Sequence, residues 1–130
     1  MISSAQEFIE LREQNDARAV HDEAPESVWR EVVRRFPRFK EWVVRNKTVP
    51  VSILSDLASD PDPRVRFEVA AKRKCPASIL ERLAQDADEA VRLRVAHNAK
   101  TPEPLLEQLR HDPSGQVVKA AEERLSRVAG

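Results

Sequence analysis

Residues 75–100 read CPASILERLAQDADEAVRLRVAHNAK, and this stretch decides the fold because the sequence on either side repeats it in phase. Pro50, Pro76 and Pro102 stand 26 residues apart. So do Leu54, Leu80 and Leu106, then Leu57, Leu83 and Leu109, then Asp60, Asp86 and Asp112, then Val65, Val91 and Val117. A fixed period of this length is the signature of a stacked repeat protein. Within one copy, Pro76 suits the first position of a helix, where its missing N–H is not needed. Ile79, Leu80, Leu83 and Ala84 share one face of that helix. Asp and Pro in the following turn (QDAD here, SDPDP at 59–63, HDPSG at 111–115) stop one helix and start another. The second helix spans 91–99 with Val91, Val95, Ala96 and Ala99 inward, and 65–71 places Val65, Val69 and Ala70 the same way.

A degenerate fourth copy lies upstream: Pro25, Trp29 and Val32 precede Pro50, Leu54 and Leu57 by 25, and Phe39, Val43 and Asn46 precede Val65, Val69 and Lys72 by 26. One residue is therefore missing from the turn at Phe36–Pro37. The repeats run 24–48, 49–74, 75–100 and 101–127. In the last, Val118 stands where earlier copies have Arg66 and Arg92, and Glu122 where they have Ala70 and Ala96, which suits a terminal repeat with nothing further to cover. Residues 3–19 are expected to form an N-terminal capping helix within the segment 1–23, opened by a Ser4/Glu7 capping box. The fold class that follows is all-α: a single domain over 1–130, built as a short α-solenoid of four two-helix repeats plus the cap.

The turn-to-helix segment has a fixed form, with Asp60 followed by Val65 and Arg66 and Asp86 by Val91 and Arg92. It resembles the HEAT repeat, where an Asp in the intra-repeat turn and a Val-Arg pair in the second helix recur. Residues 91–109, VRLRVAHNAKTPEPLLEQL, are also similar to the leucine-rich repeat variant, a related superhelix of very short helices. The resemblance covers about residues 24–127. It implies a right-handed superhelix, scaffolding and protein binding, in the manner of a small stand-alone bacterial member, and it names no partner. Some leucine-rich repeat variant proteins carry a cysteine-bound iron–sulfur cluster; with Cys75 alone, that feature does not carry over.

Composition narrows the function classes. The chain has 22 basic and 22 acidic residues, which argues against a dedicated polyanion binder. The single cysteine excludes an internal disulfide and favours a reducing compartment. The N-terminal MISSAQEFIELREQ lacks the basic start and apolar core of a signal peptide, and no apolar run is long enough for a membrane span, so a cytoplasmic, membrane-free monomer is expected. His21, His97 and His111 lack metal-ligand spacing, and neither a phosphate-binding glycine loop nor a nucleophile elbow is present; no cofactor, metal or catalytic residue is expected.

Each repeated Asp is read as a cap of the second helix, paired with the Arg of its own or the adjacent repeat. Acids gather in the intra-repeat turns and bases in the inter-repeat turns, as helix dipoles prefer. Trp42 aligns with Glu68 and Arg94, off the Val65/Val69 face. It is either an exposed contact anchor or a cover for the amino-terminal helix. Cys75 has basic neighbours able to lower a thiol pKa, although packing is the simpler role.

The leading functional reading is a non-enzymatic protein-interaction module. Its concave strip is formed by Trp42, Arg45, Glu68, Arg94 and His97, and an adaptor or an immunity or antitoxin-like protein would fit it. The alternative is nucleic-acid or acidic-partner binding through a basic inter-repeat ridge of Lys47, Lys72, Arg73, Lys74 and Lys100, next to Arg45.

Overall fold

The computed structural model describes residues 1–129. Their secondary structure is entirely helical, with ten α-helices, one 3-10 helix and no strand among the described residues. None of these helices is long and apolar enough to cross a membrane. The chain divides into two compact units, with the division between Ser59 and Asp60. It falls inside the turn of the repeat 49–74.

The first unit holds α1 (Ala5–Glu13), α2 (Arg18–His21), α3 (Glu26–Arg35), the 3-10 helix Pro37–Phe39, α4 (Lys40–Arg45) and α5 (Val51–Leu57). The single capping helix expected over 3–19 is two helices. Asn15 sits at φ 57, in the left-handed region that Asn tolerates better than most residues. The Asp16 N–H returns to Leu11 O at 2.8 Å and the Asn15 N–H to Arg12 O at 3.0 Å, a Schellman closure of α1. Asp16 then accepts from the Arg18 N–H at 2.9 Å and opens α2. At the other end, Ser4 Oγ accepts from the Glu7 N–H at 3.1 Å, but the Glu7 carboxylate returns to the Ser3 N–H and hydroxyl, not to Ser4. Phe8 of α1 meets Trp29 of α3 edge to face at 5.1 Å, and both rings are fully buried.

Asn46, just past α4 and fully buried, ties α4 to α2. Its Nδ2 donates to Ala19 O at 2.9 Å and Asp22 O at 3.0 Å, while its Oδ1 accepts from the Thr48 N–H and hydroxyl. On the outer side, Arg30 of α3 reaches Asp56 of α5 at 2.6 Å, and Ser52 donates to Glu26 at 2.7 Å.

The second unit holds α6 (Pro63–Ala71), α7 (Ala77–Leu83), α8 (Glu89–His97), α9 (Glu103–Leu109) and α10 (Gly115–Ala129). Helix α8 packs against both α6 and α10; α7 packs on α6 and α8, and α9 on α10. Pro76 and Pro102 lie one position outside the helices they precede, and their carbonyls accept the first helical N–H groups, as Ile79 N to Pro76 O at 3.0 Å. Val65, Val69, Ala70, Val91, Val95 and Ala96 are buried as the periodicity requires. Ala99, expected inward, is exposed because α8 stops at His97 and the chain turns there.

The repeated Asp residues do not cap the second helices. Those caps are Asp62, which accepts from the Arg64 N–H at 2.9 Å, and Asp88, which accepts from the Ala90 N–H at 2.8 Å. Asp60, Asp86 and Asp112 instead hold the turn, each accepting the N–H two residues on at 2.8–3.0 Å. Asp86 and Asp112 also receive a two-pronged bond from the arginine of the preceding second helix. Arg66 reaches Asp86 at 2.8 and 3.2 Å, and Arg92 reaches Asp112 at 2.9 and 3.3 Å. The remaining prong of each arginine serves the turn before its own helix, Arg66 to Asp60 O at 2.7 Å and Arg92 to Asp86 O at 2.8 Å. The carboxylates are 8% and 5% exposed, so solvent screens these pairs little. The bond to Asp86 is the main cause that raises the Arg66 pKa above its ordinary value.

A second link joins the helix ends. Asn98, 2% exposed, donates from Nδ2 to Ala70 O at 2.8 Å and Lys72 O at 3.0 Å, the free carbonyls at the end of α6. Arg124 of α10 does the same one step on, to Ala96 O at 3.0 Å and Asn98 O at 2.8 Å. These bonds set the carboxyl-terminal ends of α6 and α8 and the Arg124 turn within α10 side by side, so the three helices run parallel.

Asn98→Ala is expected to cost about 2–3 kcal/mol, because two buried carbonyls lose their donor. Asn98→Asp is expected to cost more at pH 7, since a buried carboxylate would face carbonyl oxygens. Its folded-state pKa would be raised, so the extra loss should shrink as pH falls toward about 4. Urea unfolding at the two pH values checks both. Equal stability of Asn98→Ala and the parent would contradict the link.

Candidate functional site

Asp60, Asp86, Asp112, Arg66 and Arg92 are engaged within the structure, which leaves the positions flanking the inward valines of the second helices as the candidate surface. In the second unit, Glu68 of α6 and Arg94 of α8 are half-buried, and His97 is exposed at the end of α8. They occupy the flank beside the inward valines, as the register predicts. Two apolar residues missed in the sequence reading lie in the same band. Phe67 is 37% exposed on α6, and Leu93, at the equivalent position of α8, is half-buried. Their spacing of 26 residues was a legible signal. The parallel course of α6 and α8 makes the four residues 67, 68, 93 and 94 one mixed apolar and charged surface.

Trp42 and Arg45 belong to the first unit. Trp42 is half-buried, and its ring is not bare: the Arg12 guanidinium lies 3.3 Å and the Arg45 guanidinium 4.5 Å from the ring centre. Trp42 therefore meets α1 through Arg12, while the Phe8 stripe of α1 is covered by Trp29. Of the two sequence readings, cover for the amino-terminal helix describes one side of Trp42. Arg12 was the missed residue, and its distance from residue 42 along the chain left no local signal.

Of the ridge residues, Lys47 in the first unit and Arg73, Lys74 and Lys100 in the second are exposed, while Lys72 is half-buried. The ridge positions sit where helix carbonyls end: Lys72 closes α6 and gives its carbonyl to Asn98, and the Lys100 N–H donates to Asn98 Oδ1 at 2.8 Å. Basic charge at these ends matches the helix dipoles.

Cys75 is not an activated thiol. It is 4% exposed, and burial pushes its thiol up to about 11 from an ordinary 9.0, against a smaller opposite pull from Lys72. Among the described residues, no group of three or more His, Cys, Asp or Glu side chains is placed to hold a metal ion. Comparison with protein-family models, curated proteins and solved structures gives no match.

At pH 8, alkylation of Cys75 by iodoacetamide should be slower in the native protein than in denaturant by about one to two orders of magnitude from the pKa shift, before any steric shielding. Because the folded chain keeps the proton that the unfolded chain releases, stability should also fall as pH rises from about 9 to about 11. Native and denatured chains reacting at the same rate would contradict the burial.

Proposed function

We propose that this chain is a short right-handed α-solenoid of the HEAT type that works without catalysis, as a cytoplasmic module presenting its second-helix face to a protein partner. The observation that carries the reading is the exposure of Phe67 on α6, level with Leu93 on α8 and flanked by Glu68, Arg94 and His97. A large apolar side chain ringed by charged groups is the composition of an interface core and its rim. Covering the 37% of Phe67 still exposed is worth about 0.5–1 kcal/mol, one contribution to a modest contact. The other conspicuous side chains already have internal partners: the turn aspartates hold arginines, and Asn46 and Asn98 hold helix-end carbonyls. The second reading is nucleic-acid or acidic-partner binding through Lys47, Lys72, Arg73, Lys74 and Lys100. It draws on the exposure of Arg73, Lys74 and Lys100 beside the ends of α6 and α8.

Affinity capture from the native cell extract, run in parallel with variants, separates the two. A partner retained by the parent should be lost with Phe67→Asp and weakened about tenfold or more with Arg94→Ala, each a typical hot-spot effect. The paired change Lys74→Glu with Lys100→Glu should leave capture intact. Retention by the first two variants and loss by the third would replace the module reading with the ridge.

A further inference from the structure

An open notch of about 120 Å³ lies between α3 and α5 in the first unit. Its apolar lining is Val33, Ile53 and Leu57; the last two are buried and Val33 is half-buried. Arg30, Arg34 and Asp56 supply the polar part. Two of these engage each other: Arg30 holds Asp56 at 2.6 Å, and also Glu26 at 2.7 Å. Further along α3, Arg35 holds Glu31 at 2.7 Å. Arg34 is exposed and makes no hydrogen bond or ion pair with any described residue. The repeat builds an equivalent notch in the second unit, at the ends of α7 and α9. There Ala84, Gln85, Gln108 and Leu109 stand for Val33, Arg34, Asp56 and Leu57. The notch itself is therefore architecture. Its free charge is not: Ser59, Gln85 and His111 hold the position of Arg34 in the other copies.

We propose that the notch between α3 and α5 docks a leucine-type side chain of an acidic protein segment, with a neighbouring carboxylate of that segment seated on Arg34. Size sets the first half. A closed apolar cavity of about 150 Å³ holds benzene. An open notch of about 120 Å³ lined by Val, Ile and Leu takes a branched aliphatic side chain and is small for an aromatic one. Charge complementarity sets the second half. An incoming carboxylate finds Arg34 unpaired and gains a charge-assisted bond. An incoming ammonium finds Asp56 already held and has to displace Arg30. A nucleic acid fits worse. The lining holds no aromatic ring for a base to stack on, and one unpaired arginine is not the extended basic stripe that a phosphate backbone follows. The notch belongs to first helices of the first unit, so the proposal goes beyond the second-helix reading and does not rest on it.

The test uses the whole chain at low salt, read by the methyl resonances of Val33, Ile53 and Leu57. The peptide acetyl-Glu-Leu-Leu-Glu-amide is titrated beside three relatives, with Phe or Ala in place of both leucines or Lys in place of both glutamates. The first peptide should shift the three sets of methyls saturably with a Kd of about 1 mM, the scale of one apolar side chain and one exposed ion pair. Each relative should bind about fivefold more weakly or worse. Val33→Phe, which fills the mouth, should abolish the shift at Ile53 and Leu57. Arg34→Glu should weaken binding about fivefold or more, the effect of turning one exposed pair into a repulsion. Arg34 is exposed and unpaired, so this variant keeps the fold, which circular dichroism verifies, and it decides the matter if Val33→Phe unfolds. Gln85→Glu, in the notch of the second unit, should bind as the parent does. Methyls that do not move, a relative that binds as well as the first peptide, or parent-like affinity of Arg34→Glu overturns the proposal. Equal loss with Gln85→Glu overturns it too, by leaving only a generic charge effect, as does displacement of the peptide by an oligothymidylate of matching charge.

Discussion

The grip of a guanidinium on the carboxylate of the next turn is the interaction on which the second unit depends. Its helices are short: α7 and α9 have seven residues each, α6 and α8 nine. An α-helix leaves four N–H groups at one end and four carbonyls at the other without partners inside it, so in helices this short the unpaired groups rival the paired ones. Intrinsic propensity cannot sustain such helices, and their neighbours must. Arg66 and Arg92 meet the need at the turn end, each holding one carboxylate ahead and one backbone carbonyl behind. Asn98 and Arg124 meet it at the other end by capping carbonyls of the preceding second helix. The apolar face supplies the burial; these polar links fix the register in which burial occurs.

The same arrangement decides what is left for function. A charge in every repeat looks at first like a ladder of reactive carboxylates, yet a carboxylate 5–8% exposed and held at two points is a fixed part of the frame. The surface that remains is defined by departures from the repeat. Phe67 and Leu93 put apolar area where Glu41 and Lys119 stand in the outer copies. Trp42 stands where the equivalents are Glu68 and Arg94, and two arginines cover it. In a repetitive chain the shared positions report architecture and the exceptions report individual work.

The sequence made the helical pairs, their turns and nearly all of their inward residues legible, since period and hydrophobic spacing act locally. Three features escaped it. The division of the amino-terminal cap at Asn15 depends on one left-handed residue, and Asn-Asp at 15–16 was the only hint. The repeated aspartates do pair with the arginine of the adjacent repeat, as read, but the cap also assigned to them belongs to Asp62 and Asp88, because Asp60 and Asp62, or Asp86 and Asp88, are near-equivalent in sequence and differ only in what the preceding helix brings to them. Buried Asn98 reads as a surface residue by type, although Asn46 stands two periods before it; only the carbonyls at the end of α6 explain its burial. Of the candidate site, the flank positions Glu68, Arg94 and His97 followed from register, whereas Arg12 over Trp42 is a contact between distant segments that no local pattern encodes.

The most direct test of this view is a double-mutant cycle on Arg92 and Asp112, with Arg92→Gln, Asp112→Asn and the pair compared with the parent by denaturant unfolding. If the bridge between successive turns holds the second unit in register, the two changes should be strongly non-additive, with a coupling of about 2 kcal/mol or more. A coupling below about 0.5 kcal/mol, the ordinary scatter of independent sites, would contradict it and leave the apolar face alone to set the register.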